Sequence, residues 1–187
     1  MTKILFVCHG NICRSPMAEF VMKDLIKKAG LESQFQITSA ATSTEEIGNP
    51  VYPPARRKLA EHARQLTKTD YAQYDLLIGM DRANIRNMNH ICGGNPDGKI
   101  KLLLDYTDRP QGSPRKPSAV GCVGRGEARE RSEFLPQAET KKKKSGLCFN
   151  EVADPWYTGD FDATWRDELA GCKGLLRVIK ENHLSIS

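Results

Sequence analysis

The chain has 187 residues, enough to bury one sizeable core and short for two domains. Hydrophobic residues make up 39% and charged residues 27%, and no stretch approaches a membrane span or the apolar centre of a signal peptide, so the chain reads as a globular cytoplasmic protein with no membrane partner. The formal net charge of +5 belongs to residues 112–146, where nine Lys/Arg stand against four Glu while the rest of the chain balances, which excludes a nucleic-acid signature for the domain as a whole.

In chain order, Ile4-Leu5-Phe6-Val7 is a short apolar run that predicts a buried strand. Pro16 predicts the first position of a helix, with Met17, Phe20, Val21 and Leu25 on its inner stripe and Gly30 ending it. Phe35 to Ser39 alternates as a second strand, and a Thr/Ser/Gly/Pro-rich loop runs on to Pro54. Leu59, Ala63 and Leu66 stand four and three apart, which predicts a helix from Ala55 to about Thr67. Tyr74 to Met80 is a third strand, apolar on both faces, Ala83 to His90 a short helix stopped by Gly93-Gly94, and Ile100 to Leu104 a fourth strand.

Residues 110–149 hold prolines, glycines, charges and the run Lys141 to Lys144 without any sustained period, and predict a largely disordered surface insert within a single domain spanning 1–187. The closing helix carries Phe161, Trp165, Leu169, Cys172, Leu176 and Ile179 in steps of four and three. Strands alternating with helices predict an α/β fold: a doubly wound, flavodoxin-like, four-stranded parallel sheet in the order 2-1-3-4 with helices on both faces. In that order the ligand site lies beyond strand 1, where the winding changes direction.

The segment after strand 1 is Cys8-His9-Gly10-Asn11-Ile12-Cys13-Arg14-Ser15. A tight loop between a strand end and a helix start gathers backbone N–H groups into an anion cradle. Arg14 adds a bidentate donor pair suited to phosphate. Cys8, in that positive field, is expected to ionise below its free-solution range and act as a nucleophile, with Ser15 donating to its sulfur and Asn11 taking a left-handed conformation. The bland reading of Cys8 and Cys13 is two small buried hydrophobes, and the Gly-Asn turn and Ser-Pro helix start argue against it. A zinc site needs a second cysteine pair at ligand spacing, which Cys92, Cys122, Cys148 and Cys172 do not supply. Six cysteines without a framework spacing fit a reducing compartment.

Val7 to Pro16 resembles, almost letter for letter, the C-x-G-N-x-C-R-S-P loop of the low-molecular-weight protein tyrosine phosphatases, and the likeness extends over residues 2–109 and 150–182. The resemblance implies hydrolysis of protein phosphotyrosine through a cysteinyl-phosphate intermediate, without a cofactor or metal. Cys8 is then the nucleophile, Arg14 the phosphate clamp, and Asp154, heading Asp-Pro-Trp-Tyr, the general acid. His9, Gly10, Asn11, Ile12, Cys13, Ser15, Trp156 and Tyr157 bind substrate, the two aromatics stacking on a phenyl ring. By the same resemblance Ser39 supports Asn11, Ser15 helps the leaving step, Ile12 goes with tyrosine rather than arginine phosphate, and Cys13 forms a reversible protective disulfide with Cys8. Partners are tyrosine-phosphorylated proteins, and the basic insert is suited to acidic ones.

The chain departs from the family pattern at three places. Glu45 stands where some relatives place a rim aromatic, His62 adjoins Ala63-Arg64-Gln65 instead of preceding it by two positions, and the basic insert separates strand 4 from Asp154. Two alternatives stay open: a thiol-coupled arsenate reductase of the same fold, and a catalytically weak phosphotyrosine-binding scaffold.

Overall fold

The computed structural model describes residues 1–48, 63–107 and 150–184, so the expectations for Ala55 to His62 and for the 110–149 insert lie outside the described residues. Four strands, β1 (Thr2–Cys8), β2 (Phe35–Ala41), β3 (Leu76–Gly79) and β4 (Ile100–Leu102), pair in parallel in the order β2-β1-β3-β4. The helices are α1 (Arg14–Lys28), α2 (Lys68–Gln73), α3 (Arg82–Cys92), a four-residue α4 (Pro155–Thr158) and α5 (Phe161–Leu184). This is the predicted doubly wound sheet.

Alternation along β1 divides the core. Ile4, Phe6 and Cys8 point to the face covered by α1 and α5, where Val21, Met22, Ile26, Cys172 and Leu175 meet them. Leu5 and Val7 point to the opposite face, against Leu66, Tyr74, Met88 and Cys92. Because Cys8 falls on the α1 face, its thiol points toward the start of the helix that the following loop feeds.

Local chemistry explains most boundaries. Gly30 and Gly93 take positive φ (69° and 81°) where α1 and α3 end, and the chain then turns back to bond the last carbonyls. Asp81 caps α3, its Oδ1 accepting from Asn84 N at 2.6 Å. Thr67 and Asp70 form a capping box for α2.

Four expectations are corrected. Helix α1 begins at Arg14, not Pro16, so proline occupies its third position, where a missing N–H still costs no helical bond. Its buried centre is Ala18, Val21, Met22 and Ile26, leaving Met17, Phe20 and Leu25 half-buried. Ala63 to Thr67 is extended rather than helical: Gln65 bridges Ala41, with Ala41 N donating to Arg64 O at 2.7 Å and Leu66 N to Ala41 O at 2.8 Å. Ala63 and Leu66 are buried, but a short apolar spacing does not distinguish helix from strand, and pairing with the end of β2 decided. Strand β4 stops at Leu102, and Leu103–Tyr106 turns as a 3₁₀ segment.

Helix α5 presses that turn with its two glycines. A Cβ on Gly171 would meet Leu103 Cγ at 2.5 Å, and one on Gly174 would collide with the Tyr106 carbonyl, a backbone group that cannot rotate aside. Gly174→Ala is therefore expected to lower unfolding free energy by about 1–3 kcal/mol, the usual cost of overpacking. Urea melts check this against Lys173→Ala at the exposed neighbour, expected to stay within about 0.5 kcal/mol of the parent.

Candidate active site

The loop from Cys8 to Arg14 joins the end of β1 to the start of α1, so the free N–H groups of the first helical turn and the positive end of the helix face the same space as the Cys8 thiol. Asn11 holds the loop's turn. It is the one non-glycine residue with positive φ (57°) among the described residues, and its side chain is committed on both ends. Asn11 Nδ2 donates to Ser15 Oγ at 3.0 Å and to Ser39 Oγ at 2.9 Å, while Arg64 N donates to Asn11 Oδ1 at 3.3 Å. Ser15 Oγ in turn donates to Cys8 Sγ at 3.0 Å, and Asn11 N approaches the same sulfur at 3.3 Å. Arg64 is itself held by Asp70 through both guanidinium nitrogens at 3.2 Å.

Arg14 is 5% exposed and lies between two carboxylates, Nη1 on Asp81 Oδ2 at 2.7 Å and Nη2 on Asp154 Oδ2 at 2.6 Å. Burial alone would lower its pKa; Cys8, Asp154 and Asp81 outweigh that and raise it. Asp154 caps α4, its Oδ1 accepting from Trp156 N at 3.0 Å. On the opposite rim His9 Nε2 stands 3.2 Å from Glu45 Oε2. Cys13 is half-buried, and burial first, then Cys8 and Asp154, push its thiol up to about 12.

These groups surround a cleft of about 360 Å³. Cys8, His9, Gly10, Ile12, Cys13, Arg14, Asp154, Trp156 and Tyr157 all line it. Asn11, Ser15 and Ser39 are buried behind the loop, where Asn11 bonds both serines. The far wall is the first two turns of α3, with Ala83, Asn84 and Asn87. Sequence reasoning gave Asp81 no role, although an Asp followed by Asn three residues on, directly after a strand, is a readable helix cap.

Also missed is Glu168, on α5. It is fully buried, and among the described residues neither carboxyl oxygen has a hydrogen-bond partner. Burial, then Cys8, raise its pKa well above the ordinary range, against a lowering by Arg14.

The family model described as "Low molecular weight phosphotyrosine protein phosphatase" matches residues 3–115. A Bacillus subtilis relative, "Low molecular weight protein-tyrosine-phosphatase YfkJ", is 31% identical over 97% of this chain and 97% of its own length. Its crystal structure superposes with a TM-score of 0.72 at 30% identity, covering 97% of this chain and 96% of the other. The Mus musculus "Low molecular weight phosphotyrosine protein phosphatase" is 40% identical over 58% of this chain and 74% of its own.

The burial of Glu168 has a measurable consequence. An acid whose pKa is higher folded than unfolded binds its proton more tightly in the native state, so stability is lost as pH rises from the unfolded value (about 4.3) toward the folded one. Glu168→Gln is expected to become progressively more stable than the parent as pH rises through that window, by up to about 1.4 kcal/mol per pH unit. Denaturant melts of the two proteins between acidic and neutral pH measure the divergence.

Proposed function

The chain belongs to the low molecular weight phosphotyrosine protein phosphatase family, and on that premise we propose that it hydrolyses phosphotyrosine in proteins through a phosphate ester of Cys8. The observation that carries this reading is the convergence on one cleft of a hydrogen-bonded Cys8 sulfur, a buried Arg14 and the Asp154 carboxyl. In the first step Cys8 thiolate attacks phosphorus in line. The bond from phosphorus to the aryl oxygen breaks, and Asp154, in its acid form, gives its proton to the departing phenolate. Arg14 and the loop amides carry the equatorial oxygens. In the second step water attacks phosphorus, Asp154 takes a water proton, and the S–P bond breaks to return Cys8 thiolate and inorganic phosphate.

Hydrogen bonds donated to Cys8 Sγ by Ser15 and Asn11 support the thiolate form and the leaving of the sulfur. For substrate to engage Arg14, its phosphate takes over the guanidinium edge that Asp154 holds at 2.6 Å, which frees Asp154 for proton transfer. Trp156 and Tyr157, 62% and 85% exposed at the mouth, are the surfaces for a substrate phenyl ring. The thiol-relay alternative needs two further cysteines, and among the described residues Cys8 has only Cys13 beside it at the cleft, since Cys92 and Cys172 are buried in the two cores. We take the chain to act in the cytoplasm, the basic charge of residues 110–149 being suited to acidic partners.

Cys8→Ser is expected to keep the fold and to bind vanadate or phosphate while hydrolysing nothing detectable, because the hydroxyl cannot supply the nucleophile. Turnover by a verified Cys8→Ser sample excludes the covalent route. Asp154→Asn is expected to slow phenyl phosphate by about 10²–10⁴-fold, as removal of a general acid does, and p-nitrophenyl phosphate far less. Equal losses across leaving groups would make Asp154 structural.

A further inference from the structure

We infer that Thr164 and Asp167, two buried polar residues on the inner face of α5, are positioning residues for Asp154, an inference that rests on the general-acid reading of Asp154 above. Both act on Ala153, the residue immediately before the acid. Asp167 Oδ2 accepts from Ala153 N at 3.1 Å, and Thr164 Oγ1 donates to Ala153 O at 2.8 Å. The carbonyl that Thr164 holds belongs to the peptide joining Ala153 to Asp154. Fixing that plane places the Asp154 N–Cα bond from which the side chain departs. Asp154 itself is extended (φ −90°, ψ 110°); as the N-cap of α4 its carbonyl accepts from Tyr157 N at 3.2 Å and Thr158 N at 3.1 Å, which holds the peptide after it, while Thr164 holds the peptide before it.

The neighbouring contacts leave this task to α5. Upstream, Asn150 reaches Asp105 and Glu151 reaches Arg82 N only through exposed hydrogen bonds, where water competes. Val152 is tied to the residue after β3 by its N–H to Met80 O at 2.8 Å and packs its side chain in the core, which fixes the segment one residue further from the acid. Downstream, α4 has four residues, and its aromatics are exposed. Thr164 and Asp167, three apart, lie on one helical face; the first is fully buried and the second 7% exposed. Thr164 Oγ1 also stands 3.3 Å from Asp160 O, the common bond of a helical threonine to the preceding turn, but the shorter distance goes to Ala153. Two polar side chains in a core-facing stripe, spent on both hydrogen-bonding groups of one peptide segment beside the acid, are a device for orientation.

The test is kcat/KM for a series of aryl phosphates of rising leaving-group pKa, since that ratio covers the steps up to departure of the leaving group. Thr164→Val and Asp167→Ala are expected to lower it about tenfold or more for phenyl phosphate, because small misplacements of a reacting group are expensive. For p-nitrophenyl phosphate the loss is expected to stay within about threefold, since an activated leaving group needs little help from an acid. Thr164→Ser and Asp167→Asn, which retain the donor and the acceptor, are expected to restore the parent slope. Inhibition by inorganic phosphate reports the integrity of the loop and is expected not to weaken. In an Asp154→Asn background neither substitution is expected to add to the loss. A flat series for Asp154→Asn alone removes the general-acid reading and this inference with it. A steep series for Asp154→Asn beside a flat one for both α5 variants overturns this inference alone. If Thr164→Val yields no folded protein, Asp167→Ala carries the same comparison.

Discussion

The site depends on one asparagine held in a left-handed turn. Asn11 at φ 57° is the point where the chain leaving β1 reverses to enter α1, and three hydrogen bonds keep it there. Each partner comes from a different part of the sheet: Ser15 from α1, Ser39 from β2, and the Arg64 backbone from the extended segment that bridges β2. A residue other than glycine pays strain in that conformation, on the order of 1 kcal/mol, and Asn11 offsets it with bonds that a glycine could not make. The same Ser15 hydroxyl that receives Asn11 Nδ2 donates to Cys8 Sγ. The geometry of the loop and the hydrogen bonding of the sulfur are thus linked through a single hydroxyl.

The second constraint is electrostatic. Arg14 is a nearly buried cation, and leaving such a group unpaired costs on the order of 3–5 kcal/mol. Asp81 and Asp154 meet that need in the free protein. They differ in what else they do. Asp81 is anchored by capping α3, so it keeps the guanidinium in place, whereas Asp154 caps the four-residue α4 at the cleft. Under the proposed mechanism an incoming phosphate takes over the side of the guanidinium that Asp154 holds.

Much of this was legible in the chain. Apolar runs at β1 and β3, the glycines ending α1 and α3, and the alternation of strand and helix define the parallel sheet and its order, and the loop motif declares the family. What stayed hidden depends on contacts between distant segments. Ala63 to Thr67 carries a helical spacing, yet its backbone completes the edge of β2 and brings Arg64 to Asn11. Along α5 the even stripe of Phe161, Trp165 and Leu169 suggests an apolar face, but Trp165 is 39% exposed and the inward positions are Thr164, Asp167 and Glu168. Periodicity cannot show that a polar residue will be turned inward to bind a peptide group. Arg14's pairing with Asp81 likewise joins residues 67 apart, which no local pattern reports.

The central claim is that phosphate passes through a covalent bond to Cys8. Rapid acid quenching during turnover of an aryl phosphate, followed by proteolysis and mass spectrometry, tests it directly. The account expects a peptide containing Cys8 to carry one phosphoryl group on sulfur, formed at the rate of leaving-group release and absent from Cys8→Ser. Full turnover with the Cys8 peptide unmodified throughout, or the phosphoryl group on another residue, would contradict it.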